Sequence, residues 1–206
     1  KIVEKEGFEA DDLLGTIAKN SQKDGIDVSI VSGDRDLLQL ADDKIKIRIP
    51  KTKKGVTEVE DYLPADVETL YGVTPLEFID MKALMGDTSD NIPGAPGIGP
   101  KTASALIVQY HDINNIFAHM DELKPPKAKK SISENVDQIK LSRFLSEIKT
   151  DVNIDYNVMD ASIDNMFNDE SYKLFKRYDF KNMLKRCDGN IESEPDCYEH
   201  FTSVTD

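Results

Sequence analysis

Between Gly86 and Pro100 the chain reads GDTSDNIPGAPGIGP, with four glycines and three prolines. No helix or strand runs through such a density, because proline removes a backbone donor and glycine loses most conformational freedom on ordering. The segment is an obligatory turn. Helical patterning lies on both sides of it. TPLEFIDMKALMG precedes it, with Thr74 as the N-cap and Pro75 in the first turn, and PKTASALIVQY follows, opening on Pro100. Whatever fold forms must bring two helices together across this turn.

Upstream the pattern changes. Residues 7–23 are helical, with Phe8, Leu13, Leu14, Ile17 and Ala18 on one side. GIDVSIVS (25–32) reads as a buried strand and DRDLLQLA (34–41) as a short helix. KIKIRIP (44–50) alternates Ile45, Ile47 and Ile49 against Lys46 and Arg48, the signature of a half-buried strand. GVTEVED (55–61) pairs with it across PKTKKG. Helix alternating with strand predicts an α/β layer with a partial parallel sheet. From Pro64 the signals are helical: PADVETLYG, the segment ending at Gly86, then 100–110, 112–119, 133–147 and 170–184. KPPKAKK (124–130) reads as a basic connector. The expected division is 1–63 for the α/β core, 64–186 for a helical subdomain, and 187–206 for a linker or disordered tail, where the composition turns polar.

No apolar run approaches the ~20 residues that span a bilayer, and no signal peptide is visible, so a membrane is not an expected partner. Cys187 and Cys197 form no paired metal motif, and a reducing cytoplasm is the expected setting. The net charge of −13 argues against nucleic acid, but its distribution does not. Residues 1–90 carry −8 and residues 151–206 carry −7, whereas 91–150 carry +2. The only positive third starts at the Gly/Pro turn, and local charge decides partners.

Three acid clusters stand at chain reversals: Glu9, Asp11 and Asp12 in EADD, Asp34 and Asp36 in SGDRD, Asp87 and Asp90 in GDTSD. Each has an ordinary explanation: acids at a helix N-terminus, an N-cap with a first-turn acid, and turn-forming Asp residues. Gathered in one pocket they would not. Two such charges ~4 Å apart repel by about 4 kcal/mol at an effective dielectric of about 20. Such a pocket needs cations or protonated acids. Oxygen donors favour Mg²⁺ or Mn²⁺ over zinc, and His111, His119 and His200 lie outside the clusters. Carboxylates around two hard cations are the usual apparatus of phosphodiester hydrolysis.

The turn nearly matches a phosphate loop, but Pro100 separates Gly99 from Lys101, and a helix rather than a strand precedes it. The favoured alternative is a hairpin between helices. There Gly97 and Gly99 permit φ > 0, and the helix starting at Pro100 turns its amides toward an anion such as a DNA phosphate. Lys101 and Thr102 add donors, and turn carbonyls offer a place for a monovalent cation. Contacts of this kind hold the backbone without reading sequence. A plain tight turn is the other reading.

The stretches FEADDLLGT, VSGDRDLLQL, GVTPLEFIDMKALMGDTSDNIPGAPGIGPKTA and, more loosely, LSRFLSEIKTDV resemble, collinearly over residues 8–152, the 5′-nuclease (flap endonuclease) family. The likeness is nearest to the 5′→3′ exonuclease domains that begin bacterial DNA polymerase I. It implies an α/β nuclease core followed by a helix–hairpin–helix (H3TH) subdomain, and a nuclease acting on 5′ flaps or nicked duplex DNA in replication and repair. It implies two ions, Mg²⁺ or Mn²⁺. Glu9, Asp11 and Asp12 would serve the first, and Asp34, Asp36, Asp87 and Asp90 the second. It also implies DNA contacts at Gly97, Ile98, Gly99, Lys101 and Thr102 with K⁺ in the hairpin, a bacterial, nucleoid-associated protein, and polymerase domains further along the parent chain. The family pattern has a further strand with another metal-binding Asp, a second Asp, and a basic aromatic arch ahead of FEADD. The chain begins at Lys1 without them, so a fragment with part of its sheet exposed is expected. SYKLFKRYDFKNMLKR resembles the helix that closes the domain. Lys127, Lys129 and Lys130 are candidate phosphate contacts. Two other readings remain: a catalytically silent DNA-binding module, and a small-molecule phosphohydrolase, which leaves the hairpin without a purpose.

Overall fold

The computed structural model describes residues 1–163 and 166–187, in two units, Lys1–Val158 and Met159–Asp206. The first unit opens with α1 (Ala10–Lys23), β1 (Val28–Val31), a 3₁₀ turn (Asp36–Leu40), β2 (Ile45–Lys53) and β3 (Val56–Tyr62). Six helices follow: α2 (Pro64–Tyr71), α3 (Pro75–Met85), α4 (Pro100–Tyr110), α5 (Ile113–Ala118), α6 (Pro126–Glu134) and α7 (Val136–Ser146). The second unit contains α8 (Asp169–Arg177) and α9 (Lys181–Cys187).

The sheet is mixed, in the order β1–β2–β3. β1 runs parallel to β2 with Ile30 beside Ile47, and β3 returns antiparallel, from Val56 beside Lys53 to Tyr62 beside Ile47. Lys54 and Gly55 turn the hairpin with φ of 50° and 80°, the two left-handed positions that match the twist of paired strands. The alternation in β2 buries Ile45, Ile47 and Ile49 as expected. The Leu residues of the 3₁₀ turn, Leu37, Leu38 and Leu40, pack into the same core.

α3 is the axis of the first unit. Phe78, Ile79, Met81, Ala83 and Leu84 are buried, and so are the charged Asp80 and Lys82. A helix apolar on all sides belongs inside, and charges carried inside must be paired. Arg143 Nε of α7 donates to Asp80 Oδ1 at 2.7 Å. Burial pushes the Asp80 carboxyl above its ordinary value even against Arg143. Thr74 caps α3 as expected, accepting from the Glu77 amide.

The chain then returns to α1. Gln39 Nε2 donates to the Ser146 carbonyl, and the Ile148 amide donates to Gln39 Oε1, both at 2.9 Å. The Lys149 amide donates to Asp12 Oδ1 at 2.8 Å, and the Val152 amide to Thr16 Oγ1 at 3.1 Å. This strap over 146–152 ties the end of the helical half to the first helix.

Four expectations change. KPPKAKK is no connector: Pro126 starts α6, which turns Ala128 and Ile132 inward. The helix expected over 133–147 is split, because α6 ends at Glu134 and α7 begins at Val136. The helix expected over 170–184 breaks after Arg177, where Asp179 takes φ 53°. Phe8 precedes α1 and is exposed, as is Leu14. Cys187 closes α9, and the rest of the expected tail, with Cys197 and His200, lies outside the described residues.

Candidate metal centre

Three carboxylates converge where the 3₁₀ turn meets the end of α3. Asp36, Asp87 and Asp90 each offer an oxygen within 4.8 Å of the others. Asp34 lies past the carboxyl end of β1, where α/β folds place ligands. Its Oδ1 accepts from the Asp36 amide at 2.9 Å, so Asp34 fixes the backbone that enters the 3₁₀ turn, whose N-cap is Arg35.

Asp87 and Asp90 sit on a turn closed by two reciprocal bonds, Asp87 N to Ile92 O at 2.9 Å and Ile92 N to Asp87 O at 2.7 Å. Gly86 and Gly94, with φ of 73° and 58°, make the turn possible: a Cβ on Gly94 would fall 2.2 Å from the Gly86 nitrogen. α7 holds the crossing, since Ser142 Oγ accepts from the Gly94 amide at 3.1 Å and Gln138 donates to the Gly94 carbonyl.

Lys82 stands between the acids. Its ammonium pairs with Asp36 at 2.7 Å and with Asp87, and only 6% of its side chain is exposed. Burial lowers the lysine's hold on its proton, but the two carboxylates outweigh it and leave the group above its ordinary value. Burial acts upward on Asp87, yet hydrogen bonds from Lys82 and Ser89 hold its carboxyl down at about 2. Asp36 moves the other way: burial, with the charges of Asp34 and Asp87, raises it against Lys82. Asp11, at the start of α1, is pushed up to about 6 by burial and then by Asp34, Asp36, Glu9 and Asp12. That mutual repulsion brings the EADD and SGDRD acids into one electrostatic group.

The expected site residues are not equally placed. Asp12 is engaged away from the trio, its Oδ1 on the strap and its Oδ2 accepting from the Glu9 amide at 3.2 Å. Glu9 is the exposed N-cap of α1. In the hairpin Gly97 takes φ 78°, but Gly99 does not need its freedom: it is the extended N-cap of α4 at φ −98°. The Ile98 side chain is buried and its amide donates to Ala95 O, so Ile98 anchors the turn from within. Lys101 is exposed at the start of α4, Thr102 half-buried, and Ser131 Oγ of α6 fastens the turn through the Pro96 carbonyl at 2.6 Å. His111 is exposed beside Glu77, and His119 bonds within α5.

The acids open on a cleft of about 530 Å³ that also takes in Arg35, Tyr71 and Lys82. The donor set fits a hard divalent cation: carboxylate oxygens, with an ammonium already seated between two of them. Sequence reading missed Lys82, whose only signal is a lysine in a largely apolar helix five residues before Asp87, and it missed Ser89, which bonds to Asp87.

Two family models match end to end: the 5′-3′ exonuclease N-terminal resolvase-like domain over residues 1–72, and the 5′-3′ exonuclease C-terminal SAM fold over residues 73–169. DNA polymerase I of Bacillus subtilis is 42% identical over 194 residues, 94% of this chain and 22% of that protein. The thermostable DNA polymerase I of Thermus filiformis is 39% identical over 150 residues, 73% of this chain and 17% of that protein. The chain thus spans about a fifth of the length of such relatives. Among solved structures, the bacteriophage T5 5′-exonuclease with bound divalent zinc ions superposes with a TM-score of 0.59 at 28% identity, covering 70% of this chain and 51% of that one. A variant of the T5 D15 flap endonuclease, in a pseudo-enzyme–product complex with DNA and metal ions, does so with a TM-score of 0.59 at 27% identity and the same coverage. The mixed sheet, the helical half with its hairpin, and the acids gathered between them belong to one lineage, and the chain is a member of the 5′-3′ exonuclease family.

Proposed function

We propose that this chain is the 5′→3′ exonuclease and flap-endonuclease portion of a DNA polymerase I-like protein, hydrolysing phosphodiesters of 5′-flap or nicked duplex DNA with Mg²⁺ or Mn²⁺. The observation that carries the reading is the convergence of Asp36, Asp87 and Asp90 on a cleft, with the Lys82 ammonium seated between Asp36 and Asp87. Asp36, Asp87 and Asp90, with Asp34, would hold one ion, and Asp11 with Glu9 and Asp12 would contribute to a second. When bound, such ions supply Lewis acidity toward the phosphoryl group and make water more acidic.

The chain's own residues do the rest. Asp87, held at about 2, presents a permanent negative charge at working pH. Lys82 keeps Asp36 and Asp87 facing each other against their repulsion. Without metal, burial and the neighbouring acids push the Asp11 carboxyl up to about 6, a repulsion that an ion held there would relieve. The hairpin from Gly97 to Thr102, with K⁺ among its carbonyls, would grip the duplex backbone at Lys101 and the start of α4. We take residues 1–63 as the nuclease core and 64–186 as the helical subdomain. The working place would be the bacterial cytoplasm, at the nucleoid, with polymerase domains in the same parent chain.

A second reading is a DNA-binding module without catalysis. It is favoured by Lys82, which already neutralises the acids. One experiment separates the two: the chain is incubated with an end-labelled 5′-flap duplex and Mn²⁺, and gel shift and cleavage are scored together. Cleavage that Asp87→Asn abolishes supports the nuclease. A salt-sensitive shift without cleavage supports the binding module, and neither outcome on the wild type sinks both.

A further inference from the structure

Arg35 lies between Asp34 and Asp36 in sequence and lines the same cleft, yet among the described ion pairs none includes it. Its Nη1 donates instead to the phenol oxygen of Tyr71 at 2.8 Å. Tyr71 is in turn packed on Phe78 of α3, ring centroids 4.8 Å apart. The neighbouring acids are occupied elsewhere. Asp36 is paired with Lys82, Asp34 accepts from the Asp36 amide, and Glu60, the acid on the sheet side, is taken by Lys51 and Tyr62. Lys82, the other basic residue of the cleft, is buried in its pairings.

An exposed arginine with carboxylates on either side would ordinarily pair with one of them. Here a neutral phenol on a rigid aromatic support holds it, so its full charge and most of its five donors stay available. A guanidinium so oriented is suited to the non-bridging oxygens of a phosphate, which its planar fork takes in pairs. It also supplies what an acid-lined cleft lacks for an anionic strand: an accessible positive charge that the carboxylates do not cancel.

We propose that Arg35, oriented by Tyr71, grips a DNA phosphate next to the one that is cut, fixing where the strand lies across the acids. The proposal rests on the nuclease reading and adds to it a binding contact outside the carboxylates and the hairpin. Arg35 is a positioning residue in this account, since it holds substrate without acting on the reacting bond.

The test is fluorescence anisotropy of the chain with a labelled 5′-flap duplex in Ca²⁺, titrated between about 50 and 200 mM salt. Arg35→Ala, Arg35→Lys and Tyr71→Phe are compared with the wild type, alongside steady-state cleavage in Mg²⁺ and thermal unfolding. Losing one phosphate contact should reduce the slope of log K against log salt by about 0.9 in Arg35→Ala. KM should rise about tenfold, the effect of about 1.4 kcal/mol, with kcat changed far less. Arg35→Lys should keep the slope at weaker affinity, and Tyr71→Phe should keep the slope and raise KM. Unfolding temperatures should not move. A wild type that binds and cuts, with an unchanged slope in Arg35→Ala, overturns this inference alone. A wild type that neither binds nor cuts overturns it together with the nuclease reading.

Discussion

The Lys82 ammonium lies 2.7 Å from Asp36 Oδ1, sealed from solvent at the end of a helix that is buried nearly all round. It is a lysine serving as the resident cation of an acid site. Removing one member of a buried pair costs about 3–5 kcal/mol, because the remaining charge is left uncompensated. Lys82→Met is therefore expected to lower the unfolding temperature markedly in EDTA. Added Mg²⁺ should then raise the variant's unfolding temperature by more than the wild type's, since a ligand that binds only the folded state stabilises it by mass action. Equal Mg²⁺-induced gains in the two proteins would refute this account.

Asp11 gives a pH signature. Its folded-state value is raised from 3.8 to about 6, so the folded chain binds that proton more tightly than the unfolded chain does. As pH rises from about 4 through 6, the folded state must give up a proton that the unfolded state has already lost, and stability falls. In metal-free buffer Asp11→Asn should match the wild type near pH 4 and become the more stable protein above pH 6. Urea unfolding at several pH values measures the difference, and a constant gap would contradict the assignment.

Gly94→Ala places a methyl group 2.2 Å from the Gly86 nitrogen at a φ of 58°. Backbone cannot yield there as a flexible side chain would. The expected cost is about 3 kcal/mol, the upper end of ordinary single substitutions. Gly97→Ala is a control that has positive φ but open space around the new atom, and it should cost about 1 kcal/mol. Chemical denaturation of the pair tests whether crowding or backbone angle dominates.

Lys101→Ala and Asp87→Asn should separate grip from cutting. The first removes an exposed charge at the start of α4, and is expected to weaken DNA binding and reduce its salt slope by about one, leaving the rate at saturating substrate intact. The second should abolish cleavage and leave salt-dependent binding in place. Loss of both functions in either variant would show that the two sites are not independent.

Much of this architecture is legible in the sequence for local reasons. Pro64, Pro75 and Pro100 open helices, Gly72 and Gly86 end them, and the isoleucines of β2 alternate as a half-buried strand must. The acids at Asp34, Asp36, Asp87 and Asp90 are legible because motifs mark the ends of elements. What escaped depends on tertiary contact. Three lysines, Lys127, Lys129 and Lys130, mask the apolar face of α6, where Ala128 and Ile132 are spaced for burial. Lys82 carries no sequence signal of burial, which comes from the packing of the residues 78–84 stretch of α3. Asp12 looks equivalent to Asp11, and only the strap at Lys149 reveals that its Oδ1 holds distant backbone, while Oδ2 accepts from the Glu9 amide.

The crossing of Gly86 over Gly94 has a metrical consequence. Asp87 and Asp90 leave it on one side, and the chain leading to Pro100 leaves it on the other, pinned by Ala95 to Leu84 and by Ser131 to Pro96. Neither branch can lengthen or slide without the other. Under the proposed function, a DNA strand laid over both would be measured against a ruler made of main chain, with the offset between grip and acids set at two glycines.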